Sequence, residues 1–350
     1  MSVERSRFRL RNNRGSILVV ALWVIAILEI FTLSAGTQVR QKISLAERLD
    51  RRGWLYGVAE AGIYQMFMKI REEKADEFDS LKDYWSSNQE MFQEVKVDGD
   101  ASYTVAYEYS DDQESDKEKK IRYGAQDEER KINLNTVRVE ILSRFFEVVG
   151  EMDESDAKTV AYSVVDWRDT DSFLSDSIYG AEDDYYDSLK LPYEAKDAPF
   201  EVIQELLLVR GINMEIFDRV RDFITVYGTG MLNINTMPKE VLIAVGLTEE
   251  SADNIITYRK GRDGEEGTED DLYFASVGSI GVAAGGSGDL SPLTNLISAG
   301  LLTTASDNFM IRSRGEGKAT ALEITAVVNR EGKILNWLAG KPQRIPKVLS

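Results

Sequence analysis

The apolar residues of this sequence concentrate first in one run, Ile17 to Ala35, which contains a single charged residue, Glu29. About twenty apolar residues is the length an α-helix needs to cross the ~30 Å hydrocarbon core of a bilayer. From Thr37 to about Glu72 the apolar positions instead recur at intervals of three, four and seven residues, with charged residues between them. The pattern therefore predicts one helix from about Ser16 to Arg71, with a membrane half followed by an amphipathic half.

Three glycines, Gly53, Gly57 and Gly62, fall inside the amphipathic half of this helix. Each weakens a helix by roughly 1 kcal/mol relative to alanine. We expect them where the helix packs closely against a sheet.

Alternating, strand-like segments lie on both sides of a long helical middle. They are residues 101–109, 121–123, 130–134, 308–313, 321–328 and 333–337. The simplest organisation is an α+β fold, a helix-plus-sheet domain interrupted by a large all-α insertion between about Asn135 and Ser306.

The insertion contains an internal repeat, in which Ile132–Thr136 returns as Leu232–Thr236. Each copy leads into a helix that ends at a Val-Gly pair and is followed by a second helix opened by acidic residues. Thr136 and Thr236 are predicted N-caps, and Pro238 is predicted in a first turn.

A third, looser unit runs from Glu201 to Val226, with an apolar helix through Leu208, a turn at Gly211 and a second helix. Two helices joined by a short turn, repeated in this way, predict helix–hairpin–helix (SAM-like) units.

Helix–hairpin–helix units often bind DNA, so a membrane-anchored DNA-binding (uptake) protein is the main alternative function. In DNA-binding versions a Gly-x-Gly hairpin presents backbone N–H groups to a phosphate. Here Gly150 and Gly246 stand without a second glycine and are followed by carboxylates. Lys and Arg supply most non-specific DNA affinity, and the chain has a net charge of −18. We therefore expect no nucleic-acid partner.

The sequence has no Cys and no His. The first absence excludes disulfides and thiol chemistry, and the second removes the commonest general base and transition-metal ligand. Any metal ion would be hard and bound by oxygen.

The most acidic stretches are Asp166–Asp171 and Gly180–Tyr186. So many carboxylates repel one another unless a cation neutralises them, and Ca²⁺ accepts six to eight oxygens from loops of this composition. The alternatives are a solvated acidic loop and a catalytic carboxylate pair, and the second lacks any other feature of a hydrolase. Gly261–Asp271 is a second acid-rich loop.

The residues before the apolar run are basic, with five Arg and one Glu up to Gly15. A basic flank stays cytoplasmic and directs the following chain outward. A cleaved signal peptide and a plain signal anchor are alternatives, although the run is longer than the apolar region of a signal peptide.

The sequence Arg14-Gly15-Ser16-Ile17-Leu18-Val19-Val20-Ala21-Leu22 resembles the leader of type IV pilins and type II secretion pseudopilins. The resemblance implies that a prepilin peptidase cleaves after Gly15 and methylates the new N-terminus, Ser16. Most members have Glu at the fifth position after the cleavage site, where this chain has Val20. A buried carboxylate without its partner costs several kcal/mol, so an apolar fifth residue suits a subunit with no neighbour above it.

Further segments resemble the K-type minor pseudopilins of type II secretion: 166–171, 180–186, 205–211, 225–228, 233–236 and 302–309. This resemblance implies a pilin-like body, in which the long N-terminal helix packs on an antiparallel sheet, and bound calcium. The candidate calcium ligands are Asp169, Asp171, Glu182, Asp183 and Asp184.

The resemblance also implies a domain organisation. It comprises a leader (1–15), a membrane and filament-core helix (16–36), a pseudopilin body (37–134 and 307–350) and the inserted α-domain (135–306). The expected protein is not an enzyme; it initiates or caps the periplasmic pseudopilus and is anchored once in the inner membrane with its C-terminal domain in the periplasm. The implied partners are the I- and J-type minor pseudopilins, the H-type and major pseudopilins, and the prepilin peptidase.

Overall fold

The structure, a computed structural model, describes residues 14–73, 78–110, 119–283, 291–317 and 320–344. The chain divides into two compact units, residues 1–54 and 55–350, which are described separately. Residues 1–13 of the predicted leader lie outside the described residues.

The first helix, α1, begins at Arg14 and ends at Glu72, close to the predicted bounds. No proline precedes Pro192, so nothing in the sequence interrupts its hydrogen-bond ladder. In the first unit the large apolar side chains from Ile17 to Leu33 are exposed. Among the described residues, α1 is the one helix long and apolar enough to cross a membrane.

In the second unit, the end of α1 packs on a sheet. Leu55, Ala59, Ile63, Met66 and Ile70 recur every three or four residues and are all buried. They form one apolar cluster with the inward side chains of the sheet. The amphipathic pattern read from the sequence therefore marks the buried face of the helix.

The sheet is antiparallel, as predicted. Its strands in spatial order are β1 (Val95–Asp98), β2 (Ala101–Val105), β10 (Asn308–Gly317), β11 (Thr320–Asn329) and β12 (Ile334–Ala339). Two short strands extend it: β5 (Gln126–Asp127) pairs with β10, and β13 (Gln343–Arg344) pairs with β11. A short helix, α2 (Gln89–Phe92), precedes β1.

Only one of the three helix glycines packs closely on this sheet. A Cβ on Gly62 would lie 2.8 Å from the Tyr103 ring. Gly315 on β10 is equally crowded from the sheet side, against the α1 backbone. Gly53 and Gly57 have no neighbouring atom within 4 Å of a Cβ, so the prediction was wrong for these two.

The predicted strand 101–109 is two strands. β2 ends at Val105, and the N–H of Ala106 donates to the Arg312 carbonyl at 3.2 Å. The chain then leaves the sheet as β3 (Tyr107–Ser110), which pairs with β4 (Lys119–Arg122) in a separate hairpin. Polar and apolar residues alternate on both sides of the break because both segments are strands. The sequence pattern therefore did not reveal where the first strand ends.

The middle of the chain is mostly helical. Its helices are α3 (Val139–Val148), α4 (Glu154–Arg168), α5 (Asp183–Asp187), α6 (Met214–Val220), α7 (Lys239–Ala244), α8 (Glu249–Arg259), α9 (Ile280–Ala283) and α10 (Ser291–Ser298). The predicted helix through Leu208 is a 3₁₀ helix, Ile203–Leu208. An apolar cluster spanning residues 132–302 forms the core here, separate from the sheet cluster. The predicted domain bounds stay predictions.

The insertion is not all-α, because the repeated Asn-rich motifs form short parallel strand pairs. β6 (Ile132–Asn133) pairs with β7 (Ile224–Thr225), and β8 (Leu232–Asn233) pairs with β9 (Leu302–Thr303). In each pair, the strand that begins a repeat forms backbone hydrogen bonds with the strand that ends it. The two ends of the repeat therefore lie side by side.

Each repeat contains an asparagine whose side chain holds an equivalent loop residue. The Asn135 side chain accepts from the Phe200 N–H at 2.7 Å and donates to its carbonyl at 3.0 Å. The Asn235 side chain binds Phe274 with the same two bonds at the same distances. The repeated sequence motif therefore performs the same structural task twice.

Matching arginines close the second helix of each repeat. Arg168, at the end of α4, donates to the carbonyls of Leu134 and Val137. Arg259, at the end of α8, donates to the corresponding carbonyls of Ile234 and Met237. Each guanidinium therefore donates hydrogen bonds to backbone carbonyls in the turn that precedes the first helix of its repeat.

The two threonines predicted as N-caps do not cap. The N-cap residues of α3 and α7 are Arg138 and Pro238, two positions later. Thr236 is buried and donates its hydroxyl proton to Asp127 at 2.5 Å. Asp127 lies far from Thr236 along the chain, so capping rules that consider only neighbouring residues cannot predict this hydrogen bond.

A buried polar network lies where the chain passes between the sheet and the helical region. Asp127, fully buried, accepts from Thr236, Ser306 and Asn233 through one oxygen and from the Glu129 N–H through the other. Both chain crossings, around residues 127 and 306, therefore share one carboxylate.

A buried ion pair joins this network to α1. Arg330 pairs with Asp79 and also donates to the carbonyls of Ser306 and Ile70, each at 3.1 Å. Asp79 in turn accepts from the Ser306 N–H at 2.8 Å. Arg330 and Asp79 therefore link three parts of the chain: the end of α1, the turn after β11 and the segment around Ser306 that leads back to the sheet.

Candidate functional site

The predicted processing site lies at the start of α1. Gly15 and Ser16 fall in the first turn of the helix, one and two residues after its first residue, Arg14. Val20 follows one turn later and its side chain is 58% exposed. Cleavage after Gly15 and methylation of Ser16 stay predictions.

The acidic stretch after α4 is folded around Asp166. This buried side chain accepts from the N–H groups of Ser175 at 2.8 Å and Ala181 at 2.7 Å, which closes the loop between α4 and α5. Gly180 must lack a side chain, because its Cβ would collide with the Asp166 carboxylate. The carboxylate of Asp166 is therefore fully used in shaping the loop.

Asp169 and Glu182 behave differently, because their buried oxygens lack partners. Oδ1 of Asp169 and both carboxylate oxygens of Glu182 are buried and accept no hydrogen bond. Burial, together with the negative charges of Asp166, Asp197 and Asp169, raises the pKa of Glu182 to about 7. Burial and neighbouring carboxylates also raise the pKa of Asp169. Asp166 and Asp197 therefore act electrostatically on both groups.

The other three predicted ligands are engaged or exposed. Asp171 is exposed and accepts from the Phe173 N–H at 3.0 Å. Asp183 accepts from the Ala195 N–H at 2.8 Å. Asp184 is exposed in the first turn of α5. Their role as calcium ligands stays a prediction, as it does for Asp169 and Glu182.

Asp197 joins these two groups, and sequence reasoning missed it. Its Oδ1 is buried without a hydrogen-bond partner, and its negative charge raises the pKa of both Asp169 and Glu182. Its backbone has φ +48°, an uncommon conformation for a residue other than glycine. No acidic run surrounds Asp197 in the sequence, so composition gave no signal for it.

The loop that carries Asp197 is held on both sides. Lys196 pairs with Glu205 at 2.7 Å, and the N–H of Phe200 donates to Asn135. The strained backbone is therefore fixed by the surrounding bonds. Strain of this kind is often found at ligand sites.

The second acid-rich loop brings Asp263, Asp270 and Asp271 together, with candidate ligand atoms within 4.8 Å of one another. These carboxylates are bonded within their own loop. Asp270 accepts from the Arg262 N–H at 2.7 Å, and Asp271 accepts from the Gly267 N–H at 2.6 Å. The loop therefore keeps its shape without an ion, in contrast to the unpaired oxygens of the first loop.

Part of the sequence is similar to known proteins. Residues 129–229 match the family model described as Type II secretion system (T2SS), protein K. Type II secretion system protein K of Aeromonas hydrophila is 32% identical over 100 residues, and that of Pectobacterium carotovorum subsp. carotovorum is 33% identical over 103 residues. Each alignment covers 28% of this chain, and the chain matches only 30% and 31% of the lengths of these relatives.

A solved structure matches over a much larger part of the chain. A chain of the crystal structure of the GspK-GspI-GspJ complex from the enterotoxigenic Escherichia coli Type 2 Secretion System aligns with a TM-score of 0.60 at 16% identity. The alignment covers 87% of this chain and 99% of that chain. At this identity the match bears on the fold.

The long N-terminal helix, the antiparallel sheet behind its second half and the helical region inserted between the strands define a pilin-like protein of the α+β class. Within that class, residues 129–229 resemble protein K of type II secretion. The family resemblance predicted from the sequence is confirmed.

Proposed function

We propose that this protein is a minor pseudopilin of type II secretion that occupies the tip of the pseudopilus and initiates or caps its assembly. The match of residues 129–229 to protein K carries the proposal. The unbroken helix from Arg14 supports it, because α1 combines a segment able to span the membrane with a segment packed on a folded domain. No catalytic role is needed for this function.

The apolar Val20 supports the terminal position. A subunit inside the filament would place a residue at this position near the N-terminus of a neighbour, where a carboxylate gains an ionic partner. At the tip that partner is absent, and an unpaired carboxylate in an apolar environment would cost several kcal/mol. By analogy with the complex named above, the partners are the I- and J-type minor pseudopilins.

Leader processing tests the assignment. Gly15→Ala should prevent removal of residues 1–15 when the protein is co-expressed with a prepilin peptidase, because a side chain would stand at the cleavage site. The wild-type chain should lose the leader, and N-terminal sequencing should begin at methylated Ser16. Gly36→Ala is the matched control, since Gly36 lies in the same helix with nothing within 4 Å of its Cβ. Normal processing of Gly15→Ala would contradict the proposal.

We further propose that the first acidic loop binds calcium through Asp169, Glu182 and Asp197. The residues fit a hard cation because four of their carboxylate oxygens are buried and unpaired. Calcium, when bound, would neutralise carboxylates that otherwise repel one another. The three side chains would then hold the α4–α5 loop against the loop that carries Asp197.

Thermal unfolding of the full chain in detergent tests the calcium proposal. After removal of divalent ions, millimolar CaCl₂ should raise the melting temperature by several degrees at constant ionic strength. Glu182→Gln should remove most of this increase. Asp184→Asn, an exposed carboxylate of the same helix, should retain it if Asp184 is not a ligand. An equal response to NaCl alone would contradict the proposal.

A further inference from the structure

A cleft of about 570 Å³ lies between the sheet and the inserted region of the second unit. Its volume falls within the range of about 300–1,000 Å³ that is typical of ligand sites. The floor is the sheet face opposite α1, and the walls come from the β3–β4 hairpin and the helical region.

The cleft is basic, although the protein is acidic. Eight cationic and six acidic side chains line it, in a chain with a net charge of −18. Five of the cations form ion pairs: Lys131 with Glu128, Arg259 with Glu266, Arg312 with Glu323, Arg221 with Asp218 and Lys239 with Asp253. The cations outside these pairs include two arginines.

Two of these are arginines without a carboxylate of their own. Arg122 is buried; it donates to the Glu266 carbonyl at 3.0 Å and to the Tyr107 hydroxyl at 3.5 Å, and lies 4.2 Å from the centre of the Tyr109 ring. Arg130 is half-buried and makes no ion pair or hydrogen bond with the described residues.

One carboxylate faces three guanidinium groups in this corner. Burial alone would raise the pKa of Glu266, but Arg259, Arg122 and Arg130 together outweigh burial and lower it below its ordinary value. A single negative charge cannot balance three positive ones. The corner therefore keeps an excess of positive charge that is shielded from water and can attract a further carboxylate.

The rest of the cleft suits an extended peptide. Met310, Val327 and Leu338 on neighbouring strands give the floor an apolar surface, and Leu338 is 66% exposed. Leu338 lies on β12, which pairs only with β11 among the described strands. An unpaired strand edge can receive a further strand from another protein.

We propose that this cleft docks an extended acidic segment of a second protein. A carboxylate of the segment binds the half-buried Arg130, the buried Arg122 adds positive charge to the same corner, and apolar side chains of the segment cover the floor near Leu338. The positive cleft on a negatively charged protein supplies the selectivity, because an acidic partner is repelled elsewhere on the surface.

Fluorescence anisotropy of a labelled dodecapeptide of alternating Glu and Val, titrated with the full chain in nonionic detergent, tests the proposal. The peptide should bind, and the same peptide with Gln for every Glu should bind at least tenfold more weakly. Raising the salt from 50 to 300 mM should weaken binding, since screening reduces the attraction between charges.

Substitutions locate the site. Arg130→Gln should weaken binding by about tenfold, the loss expected for one charge-assisted hydrogen bond. Leu338→Glu, at an exposed position, should weaken it as well by placing a carboxylate in the cleft. Arg144→Gln is the matched control, because Arg144 is exposed on α3 outside the cleft.

Three outcomes would overturn the proposal. The first is equal binding of the Gln peptide. The second is unchanged affinity in both Arg130→Gln and Leu338→Glu. The third is displacement of the peptide by submillimolar citrate, which would assign the corner to a small anion.

Discussion

The carboxylates of Asp166 and Glu182 lie at the two ends of the α4–α5 loop and differ in the hydrogen bonds that they accept. Asp166 is buried and accepts two backbone hydrogen bonds, from the N–H groups of Ser175 and Ala181. Glu182 is buried sixteen residues later and accepts none. The first carboxylate shapes the loop, and the second is left free to bind a cation.

The raised pKa of Glu182 predicts a pH dependence of stability. Its ordinary value is 4.5, and the folded value without calcium is about 7. Between these values the folded protein keeps a proton that the unfolded chain releases, so raising the pH removes stability. In calcium-free buffer, the free energy of unfolding measured with urea should therefore fall from pH 5 to pH 8.

Calcium should abolish part of this fall, because the ion replaces the proton. Glu182→Gln should reduce the slope without calcium. Asp79, whose pKa burial raises to about 7, contributes a fall of the same sign that persists in the variant. A slope that Glu182→Gln leaves unchanged would show that Glu182 is ionised in the calcium-free fold.

At the scale of elements, α1 contains glycines of two kinds. Gly62 lies where the helix and β10 approach most closely, and Gly57 has open space around it. Both were given the same role from the sequence, since both occupy an amphipathic helix. The difference arises because the buried face of a helix is about a third of its surface, and Gly57 lies outside it.

Alanine substitutions should separate the two glycines. Gly62→Ala should destabilise the protein by about 1–3 kcal/mol, because the new methyl group overlaps Tyr103. Gly57→Ala should stabilise it by up to about 1 kcal/mol through helix propensity. Thermal unfolding of the full chain in detergent, followed by circular dichroism, measures both. Shifts of the same sign would contradict the packing described here.

At the scale of the whole second unit, the sheet and the helical region are joined by polar bonds. Asp127 receives hydrogen bonds from both chain crossings, and burial raises its pKa. Glu129, next along the chain, accepts two bonds from Asn308, and burial with the charge of Asp127 raises its pKa to about 9. Such networks fix one arrangement of the parts when every member is satisfied.

Asp127→Ala tests the importance of this junction. The change removes the acceptor of four hydrogen bonds, so we expect a loss of about 3 kcal/mol or more in the free energy of unfolding. Hydrogen exchange should increase around both residue 129 and residue 306. Asp100→Ala, an exposed acid in the β1–β2 turn, is the control and should change little. A loss below 1 kcal/mol would mean that the apolar contacts alone hold the parts together.

The elements that the sequence predicted well are those specified by local pattern. The 59-residue α1, the long strands β10 and β11 and the repeated Asn motifs were all visible in periodicity or in self-similarity. The errors came where a distant residue competes with a local rule. Thr236 gives its hydroxyl proton to Asp127 and caps nothing, and β3 leaves the sheet to pair with β4.

The sequence by itself determined the membrane-type helix, the α+β class, the repeat and the family, because each depends on residues close together along the chain. Only the tertiary structure decided which carboxylates are buried without hydrogen-bond partners and which cations surround Glu266. The charge of Asp197 acts on Glu182, and the charges of Arg122 and Arg130 act on Glu266 although more than 130 residues separate them along the chain. Burial and electrostatic coupling depend on distance in space, and only the folded chain sets that distance.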